Sequence, residues 1–352
     1  MDQTNNLQKM LGLIPGPAFS VCDGLISHCN RDAAACMLEP GTPVAPLLLT
    51  GQEEYSTLSD GCLYLQLKAA DSTWGASVTR LDGSDLFRLE SQDIPTEVKA
   101  MNLLCAELRY PIGTLSLLTE RLLTQHASDT DAAAVNQELS RILRILNNVS
   151  NMERFLSDGA SGMEAQNVCA VMEELLEECA ALLEHADFKL QYSLPEKPVY
   201  SMVNTQALRQ SMYNLLNNAA KYTPAGSTIR VSMTQAGSLL QISVADSGEG
   251  IPAQERSSIF SRFTRQPGIE DGRQDLGLGL ALVRAAAMMH GGAVLVDAPN
   301  EGGTRVTMTL QIQDQPTGIL RNGMNMKIVS SVDNGLVMLS NVLPKSLYVP
   351  TK

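Results

Sequence analysis

The chain has 352 residues, of which 44% are hydrophobic and 18% charged, and its formal net charge at pH 7 is −12. This length suits two or three domains, and the apolar share excludes general disorder. Because the negative charge repels nucleic-acid phosphates and the sequence has no strongly basic segment, we expect no nucleic-acid binding.

The sequence lacks the marks of an exported or membrane-inserted protein. It contains no run of 18 apolar residues, and its opening MDQTNNLQK (1–9) lacks a basic region leading into an apolar one. Its seven cysteines are odd in number and scattered, which favours a reducing compartment. We therefore expect a cytoplasmic protein without membrane insertion. Cys22, Cys29 and Cys36 recur every seven residues without a CxxC pair, so we expect small buried apolar side chains there rather than a metal site.

Residues 1–90 alternate short apolar runs with turn residues. GCLYLQL (61–67), TWGASVTRL (73–81) and DLFRLE (85–90) are typical of successive strands. Together with the opening IPGPAFSVCDGLISHCNRDAAA (14–35), this pattern resembles a degenerate PAS domain, which implies a PAS-like sensor domain over 1–90.

Residues 91–160 have a helical period and predict a two-helix hairpin. Apolar residues form one stripe on the first helix, namely Leu104, Leu108, Ile112, Leu115 and Leu122. A second stripe lies on the second helix, namely Val135, Leu139, Ile142, Leu146, Val149 and Leu156. A lone hairpin has little core, so pairing with a second copy would give a four-helix bundle. Alternatively, the hairpin packs on the other domains of its own chain.

DGASG (158–162) predicts a hinge, and residues 161–314 then alternate helices and strands. A tail over 315–352 ends in GLVMLSNVLPKSLYVP (335–350), whose apolar residues indicate docking on another surface.

One face of the predicted helix 207–224 carries polar side chains suited to phosphates. Asn214 and Asn218 lie four residues apart, and Lys221 and Tyr222 continue that face. Two carboxamides and an ammonium could hold a hydrated Mg²⁺ with its phosphates, since Mg²⁺ prefers oxygen ligands. An ordinary exposed Asn-rich face gives the same pattern.

Three further stretches bear on this hypothesis. VADSGEGIP (244–252) puts Asp246 after an apolar strand, followed by Gly248 and Gly250. The carboxylate could accept from an exocyclic amine while the glycines admit a flat base, although a simple turn cap also explains Asp246. IFSRFTR (259–265) brings two phenylalanines and two arginines.

DLGLGLALVRAAAMMHGG (275–292) opens a helix at Gly277 and Gly279, where free amides favour phosphate oxygens. We expect His290 to cap the end of this helix rather than bind a metal.

In this order, NLLNNAAKY, DSGEGIP, IFSRFTR and LGLGLALV resemble the ATP-binding domain of sensor histidine kinases, the Bergerat fold shared with gyrase and heat-shock chaperone ATPases. The resemblance covers about 165–312 and implies ATP and Mg²⁺ as ligands. It places Asn214, Asn218, Lys221 and Tyr222 at the phosphates, with Asn218 also on Mg²⁺. It places Asp246 at the adenine amine, and Gly248 and Gly250 under the base. It further implies Gly277 and Gly279 at the end of a lid over 252–276, and Arg265 among the binding residues. EGGTRVTMTL (301–310) looks like the closing strand.

One departure from the family pattern and one difference from other members of the superfamily affect the expected chemistry. Gln274 and Asp275 replace glycines common in the family, which would weaken triphosphate binding. Hydrolytic members of the superfamily place a glutamate where this chain has Asn214, so efficient ATP hydrolysis is not expected.

AELRYPI (106–112) resembles the phosphoacceptor motif H-E-L-R-T-P-L of sensor histidine kinases, with Ala106 in place of the histidine. Glu107 remains as a candidate base. Tyr110 replaces a threonine associated with dephosphorylating a partner, and Pro111 removes the amide that would donate to Glu107, loosening that turn. The reacting group itself is absent.

The sequence therefore predicts an α+β multidomain protein with a PAS-like N-terminal domain, a dimerisation hairpin forming a four-helix bundle, and an α/β two-layer sandwich ATPase domain. The expected function is ATP-binding signalling by a histidine kinase-type protein degenerate for autophosphorylation. Alternatives are a kinase acting on a partner's histidine in trans, and an interaction scaffold with a decayed nucleotide site. Expected partners are a second chain in a homodimer or heterodimer, and a response regulator or kinase.

Overall fold

The computed structural model describes residues 8, 10–81, 83–92, 96–125, 130–157, 162–252, 255, 259–260, 276–299, 302–312 and 335–349. Over these ranges the chain is a mixed α+β protein, which confirms the coarse fold class.

The N-terminal segment forms five antiparallel strands, with two short helices between the second and third. The strands are β1 Ala18–Cys22, β2 Leu25–Cys29, β3 Cys62–Ala69, β4 Ser72–Leu81 and β5 Ser84–Ser91, and the helices are α1 Arg31–Ala35 and α2 Gln52–Thr57. β1 and β2 are joined by Asp23 and Gly24, both with positive φ, as a two-residue hairpin turn requires. The three strands predicted within 61–90 are confirmed as β3, β4 and β5.

Two long helices follow, α3 Thr96–Gln125 and α4 Thr130–Ser157, and α3 continues through Pro111. The contact between them is not the predicted stripe of α3. Buried residues recur on α3 every seven positions, at Val98, Cys105, Ile112 and Thr119. Most of the predicted stripe is exposed, namely Leu104, Leu108, Leu115 and Leu122. The α3 helix thus has one face against α4 and an apolar face left at the surface of this chain.

In its described residues the third segment has three helices and seven strands. Its helices are α5 Val168–Glu184, α6 Thr205–Tyr222 and α7 Gly279–Met289. Its strands are β6 Glu164–Asn167, β7 Lys189–Ser193, β8 Tyr200–Val203, β9 Thr228–Ala236, β10 Leu239–Ala245, β11 Val294–Asp297 and β12 Arg305–Gln311, of which β6 and β8 form a separate pair. Asn167 and Asn204 start α5 and α6 as N-caps, each accepting from a first-turn amide.

Strands of the first and third segments form one ten-stranded sheet, in the order β2-β1-β5-β4-β3-β11-β12-β10-β9-β7. The two segments meet where β3 pairs antiparallel with β11, in the register Tyr64↔Val294, Leu63↔Leu295 and Cys62↔Val296. The helices α5, α6 and α7 and the strands β9, β10 and β12 contribute to a single hydrophobic core.

The C-terminal segment docks as its apolar sequence predicted. It begins with the short helix α8 Gly335–Met338 and ends in a 3₁₀ turn at Lys345–Tyr348. Gln137 on α4 donates through Nε2 to the carbonyls of Ser340 (3.2 Å) and Leu343 (2.7 Å). The segment buries Val337, Met338, Leu339, Leu343 and Tyr348. It also contacts α5 and α6, so it joins the hairpin to the third segment.

None of the described helices is long and apolar enough to cross a membrane. The expectation that Cys22, Cys29 and Cys36 are buried was wrong. Cys22 is exposed at the end of β1, beside the hairpin turn. Cys29 at the end of β2 and Cys36 after α1 are half-buried, because they pack only against the outside of the N-terminal core.

Removing apolar contact from the docked C-terminal segment should destabilise the chain. Leu339 is fully buried, so Leu339→Ala is expected to lower the free energy of unfolding by about 2–5 kcal/mol, measured by urea denaturation. Hydrogen exchange on α4 around Gln137 should accelerate as well. Ser346→Ala, at an exposed position of the same segment, is the control. Equal stability of Leu339→Ala and the control would show that the docking contributes little.

Candidate nucleotide-binding site

The two asparagines of α6 lie beside the start of α7. Asn214 is only 4% exposed, whereas Asn218 is half-buried. A Cβ built at Gly279 would lie 3.4 Å from Asn214 Oδ1 and 3.7 Å from Asn218 Nδ2. The structure therefore brings together three residues that the sequence assigned to one site.

Within the described part of the chain, no side chain caps the first turn of α7. Leu278 stands at the N-cap, and its apolar side chain cannot accept from the first-turn amides. Gly277 just before it has φ of +69°, a conformation that glycine adopts without strain. This helix start can therefore receive an anion beside the carboxamides of α6.

Asp246 follows β10 and is held by two backbone amides. Its Oδ1 accepts from Gly248 (2.9 Å) and from Thr304 (3.2 Å), and its own amide donates to the Thr304 carbonyl (2.9 Å). Burial raises the pKa of the carboxyl, while the two amides favour the charged form and act in the opposite direction. The turn cap that the sequence left as an alternative is thus present at Oδ1. Oδ2 can still accept a hydrogen bond from a ligand amine.

Close backbone packing fixes this loop against α6. A Cβ at Gly248 would lie 2.3 Å from the Tyr222 carbonyl oxygen, and one at Gly303 would lie 2.0 Å from the Asp246 carbonyl oxygen. Gly250 has φ of +77° and also adjoins Gly303. The sequence reading missed Gly303 and Thr304. The sequence feature that could have indicated these two residues is the glycine pair just before β12.

The last turn of α6 carries Lys221 and Tyr222. The Lys221 Nζ lies 5.0 Å from the centroid of the Tyr222 ring, which is 38% exposed. The Tyr222 carbonyl packs against the Asp246 loop. Helix α6 therefore connects the phosphate end of the predicted site with its adenine end.

Other predicted residues are either outside the described part of the chain or on α3. Arg265, Gln274 and Asp275 fall outside the described residues, as does most of the predicted lid. Ala106 and Glu107 are both exposed on α3, and no described contact joins them to the α6–α7 site.

A buried carboxamide network, not anticipated from the sequence, connects α4 to α6. Asn148 Nδ2 donates to Asn214 Oδ1 (3.4 Å), and Gln210 Nε2 donates to Asn148 Oδ1 (2.7 Å). Asn151 Nδ2 in turn donates to Gln210 Oε1 (3.1 Å). The hairpin therefore contacts the predicted phosphate-binding face directly through Asn214.

Comparison with known proteins agrees with this geometry. Residues 203–314 match the family described as “Histidine kinase-, DNA gyrase B-, and HSP90-like ATPase”. These residues span α6, the Asp246 loop and α7. The chain contains a histidine kinase-like ATPase domain.

Sensor histidine kinases are among the relatives of the chain. It is 28% identical over 222 residues to the sensor histidine kinase WalK of Bacillus subtilis, an alignment covering 59% of this chain and 36% of that protein. It is 30% identical over 216 residues to the sensor protein KdpD of Escherichia coli, covering 60% of this chain and 24% of that protein.

A third relative is the adaptive-response sensory kinase SasA of Synechococcus sp. (strain JA-2-3B'a(2-13)). It is 30% identical over 233 residues, covering 63% of this chain and 61% of that protein. The chain thus spans less than two thirds of each of these three relatives.

A solved structure has a similar fold. The crystal structure of full-length ShkA in complex with AMPPNP has a TM-score of 0.50 and 19% sequence identity, and the match covers 64% of this chain and 48% of that one.

The residues of the ATPase domain fit Mg-ATP in their donor chemistry. Asp246 offers an oriented carboxylate, α7 offers backbone amides, and Asn218 offers a carboxamide oxygen. Within the described residues, no group of three or more His, Cys, Asp or Glu side chains could hold a metal. A cation here would take its oxygen ligands from carboxamide, phosphate and water, a set that suits Mg²⁺.

His290 fixes α7 relative to the start of α6. It stands at the C-cap of α7, as expected, and its buried ring accepts at Nε2 from the Asn204 amide (3.0 Å). Nδ1 lies 2.7 Å from the Ala286 carbonyl, so the neutral ring carries its proton on Nδ1. Burial lowers the pKa of His290 below its usual value of about 6.5.

This lowered pKa predicts a dependence of stability on pH. The unfolded chain takes up a proton near pH 6.5 while the folded ring stays neutral, so stability due to His290 is present above about pH 6.5 and lost as pH falls through the lower folded pKa. We expect the melting temperature to fall between pH 7.5 and 5, and to fall less in His290→Gln. His185→Gln, at an exposed position, should retain the wild-type dependence. Parallel curves for His290→Gln and wild type would contradict this role.

Proposed function

We propose that the chain is a cytoplasmic ATP-binding signalling protein of the histidine kinase type that cannot phosphorylate itself at the usual position. The observation that carries this proposal is the combination of an oriented Asp246 and an uncapped α7 with an alanine at position 106.

The ATPase domain would hold Mg-ATP along α6. Asp246 would accept from the adenine amine, and the loop glycines Gly248 and Gly250 would let the base approach the backbone. At the other end, Lys221 and the amides of α7 would bind phosphate oxygens while Asn218 supplies an oxygen to Mg²⁺. Bound ATP would supply a γ-phosphoryl group.

The hairpin lacks a side chain to accept that group at the usual position. Ala106 has no nucleophile, although the neighbouring Glu107 is exposed and could take a proton from an imidazole presented by another chain. ATP would then act as a conformational ligand or as phosphoryl donor to a partner's histidine. Tyr110, which is 83% exposed, replaces the threonine linked with dephosphorylation, so we expect no strong phosphatase activity.

The hairpin would also carry the partner contact. The exposed leucines of α3 form an apolar face that a second hairpin could cover, giving a four-helix bundle in a homodimer or heterodimer. A response regulator or a kinase would receive the output. The five N-terminal strands, with two short helices between the second and the third, support a PAS-like sensor as the input domain.

Removing the carboxylate proposed to bind adenine should weaken nucleotide binding. Wild type is expected to bind Mg-ATP in isothermal titration calorimetry, and Asp246→Ala to bind at least tenfold more weakly because the amine loses its acceptor. Asp71→Ala, in the exposed β3–β4 turn, is the matched control. Equal affinity of wild type and Asp246→Ala would place the base elsewhere, and absence of binding by wild type would favour the decayed scaffold.

Restoring the acceptor tests whether only that group is missing. In Ala106→His, incubation with Mg-ATP labelled at the γ-phosphate should give an acid-labile, alkali-stable label that wild type lacks. The double variant Ala106→His/Asp246→Ala should stay unlabelled. Label on wild type would reveal another acceptor. An unlabelled Ala106→His protein that still binds ATP would contradict the view that only the acceptor is lost.

A further inference from the structure

The N-terminal sheet contacts the ATPase domain through one face of β3 and β5. Side chains of β3 alternate, so Leu63 and Leu65 point into the N-terminal core while Cys62 and Tyr64 belong to the core of the ATPase domain. On β5, Phe87 and Leu89 likewise face the N-terminal core, which leaves Glu90 on the opposite face.

Arg284 of α7 meets that face. Its side chain is 3% exposed, and its Nη1 donates to Glu90 Oε2 (2.7 Å) and to the Phe260 carbonyl (2.9 Å). Its guanidinium carbon lies 4.3 Å from the centroid of the Tyr64 ring. A buried guanidinium requires a compensating charge, and the charge here comes from the N-terminal segment.

Local packing is built around this arrangement. A Cβ at Gly75 on β4 would lie 1.8 Å from the Tyr64 hydroxyl, so only glycine leaves room for the ring in this position. Gly75 is also the residue paired with Glu90 across β4 and β5. The Tyr64 and Phe260 rings lie 5.7 Å apart, and Phe260 is 1% exposed.

These contacts join two segments that are separated along the chain. Phe260 precedes α7, which begins at Gly279, and residues 261–275 between them lie outside the described part of the chain. Arg284 is five residues into α7, about 7.5 Å along the helix axis from the amides expected to bind phosphate. Arg284 thus holds the Phe260 carbonyl against α7, and the orientation of its side chain depends on Glu90 and Tyr64.

We propose that Arg284 is a positioning residue through which the N-terminal segment sets the nucleotide affinity of the ATPase domain. Arg284, Glu90 and Tyr64 form the clasp that fixes α7 and the Phe260 carbonyl relative to each other. A change in the N-terminal sheet that moves Glu90 releases the guanidinium, and α7 loses the position in which its amides meet phosphate. The inference rests on the proposed function, because it presumes that this site binds Mg-ATP.

The test compares two ligands on the full chain by calorimetry. Mg-ATP needs both Asp246 and the start of α7, whereas adenosine needs only the base-binding loop. Glu90→Gln keeps the size and one acceptor but removes the charge, so it should weaken Mg-ATP at least tenfold while adenosine affinity stays within twofold. Arg284→Lys should behave in the same way, since a compact ammonium cannot keep the contacts of Nη1 with Glu90 and Phe260 while also covering the Tyr64 ring as the planar guanidinium does. Glu53→Gln, an exposed glutamate on α2, is the matched control.

Each outcome separates the inference from the proposed function. Selective loss of Mg-ATP affinity in Glu90→Gln and Arg284→Lys, with the control unchanged, supports the clasp. Wild-type affinities in both variants, or equal losses for both ligands with a lowered melting temperature, overturn it and reduce the contact to a structural one. Failure of wild type to bind either ligand would overturn the proposed function and the inference with it.

Discussion

The architecture depends on the pairing of β3 with β11. Only three residue pairs form this junction, yet it turns two separate sheets into one of ten strands. Gly61 makes the approach possible, since a Cβ there would lie 2.3 Å from the Val296 carbonyl oxygen. The pairing covers an edge of each sheet and sets the distance at which α7 meets the N-terminal strands.

The hairpin is attached to the ATPase domain by polar contacts as well as apolar ones. Asn148, Asn151, Gln210 and Asn214 are all buried, and each is hydrogen-bonded within the network. Buried amides of this kind favour one arrangement, because a shift along either helix would leave several of them unpaired. The docked C-terminal segment adds a second attachment on the same helix through Gln137. The Asn214 side chain, which is predicted to lie at the nucleotide, therefore also accepts the hydrogen bond from Asn148 of the hairpin.

Much of the candidate site was predictable because its signals are local. Gly277 and Gly279 open α7 where expected, and Asp246 follows β10, since strand ends and helix starts leave a mark within a few residues. Strands β3, β4 and β5 were equally predictable from the alternation of apolar residues and the turns between them. His290 at the end of α7 followed from the Gly–Gly stop beside it.

The rest could not be predicted, because it depends on contacts between distant segments. Nothing near Glu90 indicates Arg284 as its partner, and nothing near Asn148 indicates Gln210. The apolar stripe on α3 correctly predicted a helix, but the helical period does not tell which neighbouring element covers that stripe. The face against α4 instead uses Cys105 and Thr119, residue types that carry little weight in an apolar pattern.

The β3–β11 junction also has a consequence for how the chain is made. Tyr64 and Val294 are about 230 residues apart, so at roughly 5–20 residues per second the ribosome needs some ten to fifty seconds between them. During that interval the outer edge of β3 has no partner strand, and the apolar ring of Tyr64 lies uncovered. Nascent chains are therefore exposed to edge-to-edge association until β11 emerges, and holding factors that shield strand edges would raise the yield of folded protein.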